Sequence, residues 1–108
     1  GLVSARNKVR GYELEKEVAD AGQAAGLLGE RVFGSGAFKN QLGEDFAGDV
    51  RLGRWRVECK RRKTGFKVIY DAFLQDNADI VCVRADRAER LYVMKEPLLM
   101  ELLKCASS

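Results

Sequence analysis

The twelve residues from Asp49 to Lys60 constrain this chain more than any other stretch. Asp49-Val50-Arg51-Leu52 and Trp55-Arg56-Val57-Glu58-Cys59-Lys60 both alternate with period two, as half-buried strands do. Gly53-Arg54 separates them, a two-residue loop with glycine first, which is the preference of a type II′ hairpin turn. The implied register sets Leu52 opposite Trp55, Arg51 opposite Arg56, Val50 opposite Val57 and Asp49 opposite Glu58. One sheet face is then Val50, Leu52, Trp55, Val57 and Cys59, all compatible with a core. The other carries Asp49, Arg51, Arg56, Glu58 and Lys60.

Two carboxylates on one rung of a ladder repel each other, and a fold does not need that cost for stability. The pairing becomes favourable when a hard divalent cation sits between the oxygens, as Mg²⁺ does when it is held by one or two carboxylates. Glu58 and Lys60, two residues apart on a strand, project from the same face. The lysine ammonium therefore reaches an attacking water or a scissile phosphate while Glu58 holds the metal. The alternative is a solvated face whose charges cross-pair diagonally.

Composition narrows the chemistry further. The chain has 108 residues and no histidine, which removes His-activated nucleophiles, His acid–base chemistry and His-containing metal sites. Cys59, Cys82 and Cys105 are odd in number and far apart, forming neither a zinc pattern nor a disulfide framework. A reducing, cytoplasmic compartment is expected on that basis. The opening residues GLVSARNK lack the apolar core of a secretory signal, and no run approaches the length of a membrane span. A single domain over residues 1–108 is expected.

Charge is unevenly placed: net +3 overall, yet eight basic residues stand between Arg51 and Lys67 against one acid, Glu58. These are Arg51, Arg54, Arg56, Lys60, Arg61, Arg62, Lys63 and Lys67, and Arg6, Lys8 and Arg10 form a second cluster. Basic clusters beside a carboxylate pair suit a polyanion and point to DNA held through its phosphates. No base-reading motif is visible, so recognition by backbone shape is expected.

The remaining pattern predicts a helix from Ser4 to about Leu28, with Leu14, Val18, Ala21 and Ala25 as its apolar stripe. A strand is predicted at Arg31–Phe33, and the glycine-bearing stretch that follows leads into an exposed loop over residues 37–48. After the hairpin come a helix at Phe66–Gln75, a strand at Asp79–Val83 buried on both faces, a strand at Leu91–Met94, and a helix at Leu98–Lys104 opened by Pro97. The expected architecture is α/β, a central mixed sheet flanked by helices.

Gly48-Asp49-Val50 and Val57-Glu58-Cys59-Lys60, with eight residues between Asp49 and Glu58, resemble the D…ExK core of the PD-(D/E)xK nuclease superfamily. Gly48 replaces the usual proline. Within that superfamily the chain is most similar to the archaeal-type Holliday-junction resolvases, over about Arg6 to Val83. Their basic first helix carries a glycine followed four residues later by a catalytic glutamate. In Arg10-Gly11-Tyr12-Glu13-Leu14-Glu15 this maps to Glu15, and their small-residue serine maps to Ser35 in Gly34-Ser35-Gly36.

The resemblance implies a restriction-endonuclease-like αβββαβ core and a Mg²⁺-dependent endonuclease acting on branched or duplex DNA, with Mn²⁺ able to substitute. Asp49, Glu58, the Cys59 carbonyl and Glu15 would hold the metal. Glu15, Asp49, Glu58, Lys60 and Ser35 would form the catalytic set, and a homodimer is implied; the compact size fits a prokaryotic or viral enzyme. A nickase, repair or end-processing endonuclease on the same fold, or a non-catalytic DNA-binding module, is the competing reading. Around Glu15, Gly11, Ala19 and Gly22 are small enough to admit a DNA backbone or a metal.

Overall fold

A computed structural model describes residues 2–32 and 49–107, the side chains of residues 2–10 excepted. The described elements are α1 (Leu2–Ala24), β1 (Gly29–Val32), β2 (Asp49–Leu52), β3 (Trp55–Glu58), α2 (Lys67–Asp76), β4 (Ile80–Val83), β5 (Leu91–Met94) and α3 (Glu96–Ala106). The order α-β-β-β-α-β-β-α is the expected one. Two compact units divide the chain near Arg61–Arg62, and each is described by itself.

In the first unit, β1, β2 and β3 form an antiparallel sheet in that order. The β2–β3 register is the one the alternation implies, from Leu52 opposite Trp55 to Asp49 opposite Glu58. Gly53 has φ of 62° and Arg54 is not in the left-handed region, the sign pattern of a type II′ turn. The turn is also tied back to the chain before β1, because the Gly53 N–H donates to the Leu28 carbonyl at 2.7 Å.

Helix α1 ends earlier than its periodicity predicts. The Leu27 N–H reaches back to the Gly22 carbonyl (2.9 Å) and the Gly26 N–H to the Gln23 carbonyl (3.0 Å). Gly26 sits at φ 86°, so together these form a Schellman stop that only glycine adopts cheaply. Leu27, the residue after the turn, is buried.

The face that α1 buries also differs from the expected one. Leu14, Val18, Ala21 and Ala25 are only half-buried, whereas Gly11, Glu15, Ala19 and Gly22 are buried. The packed face is thus rotated from the apolar stripe by about a quarter turn. The reason is backbone proximity. A Cβ on Gly22 would run into the Leu52 side chain, and one on Gly29 would run into the Ala19 carbonyl oxygen. Small residues let the helix settle directly on β1 and β2, over Val50 and Leu52, both fully buried. What the small residues around Glu15 admit is therefore the protein's own sheet.

In the second unit β4 pairs with β5 antiparallel, Ile80 opposite Met94 through Val83 opposite Leu91. The expected central mixed sheet is not what the described strands form: they make two small antiparallel sheets. Nor is β4 buried on both faces, since Ile80 and Cys82 are exposed and Val81 and Val83 half-buried. Its apolar run is an accurate strand signal, but a two-stranded ladder has no second neighbour to cover it. Helix α2 begins after Phe66 and ends at Asn77, which takes the left-handed conformation (φ 51°). Pro97 lies in the first turn of α3, which extends farther in both directions than predicted.

Gly29→Ala is expected to cost about 1–3 kcal/mol in urea unfolding, because the Ala19 backbone has no freedom to yield. At Gly26 there is open space, so Gly26→Ala carries only the conformational cost of the left-handed position, about 1–2 kcal/mol.

Candidate active site

Glu15 reaches the interior because α1 packs through the face that carries it. It is 2% exposed, and a buried carboxylate needs a partner. Arg31 on β1 supplies one, its Nε donating to Glu15 Oε1 at 3.0 Å. The same guanidinium lies over the ring of Tyr12, 4.1 Å from its centroid, so one cation satisfies a carboxylate and an aromatic face. Arg31 is missed by sequence reasoning. A base inside a short strand carries no local signal that it will face a glutamate sixteen residues earlier.

Asp49 and Glu58 occupy one rung, yet their surroundings differ. Asp49 is 6% exposed and is bonded by the Arg56 guanidinium, its diagonal neighbour across the ladder. The Glu58 side chain is 54% exposed, and its Oε1 lies 3.3 Å from Lys60 Nζ. The diagonal pairing posed as the alternative in the sequence is thus present for Asp49. Among the described residues no three acidic, thiol or imidazole groups are set to hold a metal ion.

Cys59 follows directly after β3. It is buried, and its thiol is pushed up to about 11, first by burial and then by the negative fields of Glu15, Asp49 and Glu58. Three carboxylates from α1, β2 and β3 therefore act on one thiol at the end of β3, with Lys60 next along the chain. The local reason is simple: the Gly53-Arg54 turn sets the β2–β3 rung, and the glycine-mediated helix contact buries Glu15 against the same sheet.

The basic residues separate into paired and unpaired sets. Arg61 Nη1 donates to Glu13 Oε2 at 2.9 Å, and Lys67, the first residue of α2, pairs with Asp71. Arg54 lies over the Trp55 ring at the hairpin tip, 4.7 Å from its centroid. Arg51, Arg62 and Lys63 are exposed. Arg6, Lys8 and Arg10 fall in the first turns of α1, where side chains are outside the described set, and Ser35 and the loop 37–48 lie outside the described residues.

No protein-family profile, curated protein or solved structure matches this chain. Among the described residues no helix is long and apolar enough to cross a membrane.

Two outcomes follow from this geometry. Arg31→Ala removes the guanidinium from buried Glu15 and is expected to cost on the order of 3 kcal/mol in denaturant unfolding, with Glu15→Gln in the same background recovering part of the loss. The Cys59 thiol holds its proton to higher pH in the folded chain than in the unfolded one. Its contribution to stability is complete below about pH 9 and is lost as pH rises towards about 11. The unfolding midpoint of Cys59→Ala should therefore fall less steeply over that window than that of the parent protein.

Proposed function

We propose that this chain is a metal-dependent, structure-selective DNA endonuclease of the PD-(D/E)xK type, and that its substrate is a four-way DNA junction. The observation that supports it best is the Asp49–Glu58 rung of the β2–β3 ladder with Lys60 Nζ 3.3 Å from Glu58 Oε1, on the sheet against which Glu15 is buried. The helix glutamate, the strand aspartate and the ExK motif come from three separate segments, as the resemblance requires. The restriction-endonuclease-like αβββαβ core belongs to the same proposal, as do the branched DNA substrate and the homodimer.

Mg²⁺ fits the donor set in kind, because Asp49, Glu58 and the Cys59 carbonyl are all hard oxygen donors. When bound, such an ion supplies a Lewis-acid centre that activates water and offsets charge on the reacting phosphate. The chain's own residues do the rest. Lys60 swings between Glu58 and the substrate phosphate or attacking water. Arg56, released from Asp49, is free to meet the DNA backbone. Glu15, fixed by Arg31, holds negative charge at the edge of the site. The exposed Arg51, Arg54, Arg62 and Lys63 take the flanking phosphates.

A second reading has its own support. Glu15, Asp49 and Glu58 each have a basic partner within the chain, an arrangement that is electrostatically complete without a cation. A DNA-binding module without catalysis would look the same.

Cleavage of four-way, flap, nicked and linear DNA, with Mg²⁺ and with chelator, decides between them. Paired symmetric nicks on the four-way substrate alone, abolished by chelator, are expected. Asp49→Ala, Glu58→Ala and Lys60→Ala should each reduce cutting by at least about a hundredfold, the scale of losing one electrostatic or acid–base catalytic group, while junction binding persists. Salt-sensitive binding with no chelator-sensitive cutting would establish the non-catalytic module. Undiminished cutting by Glu58→Ala would reject the site.

A further inference from the structure

The β4–β5 hairpin carries basic groups that no part of the candidate site uses. Its ladder ends at Val83 opposite Leu91, so Arg84 and Arg90 are the first residues beyond it on either side of the connecting loop, and both line one groove. Like charges so placed oppose folding. Cys82 lies opposite Tyr92, and strand alternation puts Arg84, Arg90 and Tyr92 on one side of the hairpin.

These three, with Ala88 and Glu89, line an open groove of about 510 Å³. That is within the size range of small-ligand clefts, about 300–1,000 Å³. The loop is held in shape. The Ala88 N–H donates to the Ala85 carbonyl at 3.1 Å, and Arg84 Nε donates to the Ala88 carbonyl at 3.0 Å. That bond orients the Arg84 guanidinium and leaves its two Nη groups without a protein partner among the described residues. Arg90 has no acidic partner there either, although Glu89 is beside it. Tyr92 is 61% exposed. Arg31, Arg56, Lys60, Arg61 and Lys67, by contrast, are each paired with a carboxylate.

We infer that this groove is a second contact for the phosphodiester backbone of DNA, with one phosphate between Arg84 and Arg90 and the adjoining sugar or base against the Tyr92 ring. An anion bound by both guanidiniums of the groove offsets their like charge and takes charge-assisted hydrogen bonds from their Nη donors. An aromatic ring beside a basic groove is a common platform for a nucleic-acid base. Among the described residues Glu89 is the one acid lining the groove, and it sets the sign of a control. The inference rests on the nucleic-acid reading above, and the test separates the two.

The full-length chain is titrated with fluorescent four-way and duplex DNA over a salt series, with Ca²⁺ replacing Mg²⁺ to block cutting. Arg84→Gln/Arg90→Gln should weaken binding about tenfold and lower the log K versus log[salt] slope by about 1–2, as expected for losing one to two phosphate contacts. Glu89→Gln should tighten binding by a few-fold, a gain that a misfolded protein cannot produce. Binding by the parent chain with an unchanged slope in the double variant and no gain in Glu89→Gln would overturn the hairpin contact alone. Absence of salt-dependent DNA binding by the parent chain would overturn the nucleic-acid reading itself.

Discussion

The close seating of α1 on the first sheet is the constraint from which the candidate site follows. It depends on positions without side-chain bulk: Gly22 beneath Leu52, and Gly29 beneath the Ala19 carbonyl. A helix held this near a sheet buries whatever lies along its contact face, and here that includes a glutamate. Burial of Glu15 then makes a counter-charge obligatory, and Arg31 on β1 provides it at 3.0 Å. The packing that stabilises the unit is the same packing that buries a carboxylate against the sheet carrying the Asp49–Glu58 rung.

Electrostatics in this unit is a set of local exchanges rather than a free negative cluster. Four acids are matched by bases: Arg31 for Glu15, Arg56 for Asp49, Lys60 for Glu58 and Arg61 for Glu13. The residual negative field is felt by Cys59, whose thiol remains protonated well above its ordinary range. That combination holds the acidic side chains in position through their basic partners. It also means that a cation or a phosphate chain entering the site has to displace specific arginines and lysines.

Much of this was legible from the residues. The β2–β3 register, down to Asp49 opposite Glu58, follows from period-two alternation and a glycine-first turn, both of which act over a few residues. The element order was equally accessible. The buried face of α1 was not, because hydropathy favours the Leu14–Val18 stripe while the fold selects the smallest side chains. The pairing of Glu15 with Arg31 has no sequence mark either. The long apolar run of β4 suggested a strand enclosed on both faces, and hydropathy alone could not reveal that β5 would be its partner.

The amino-acid order by itself determined the hairpin, its register and the absence of any histidine-based chemistry, since each is set within a few neighbouring positions or by composition. The tertiary structure decided which side of α1 is buried, which base neutralises Glu15, and that the strands divide into two sheets. Those outcomes turn on how closely distant backbone segments can approach, and that distance is a property of the packed chain rather than of any short stretch of it.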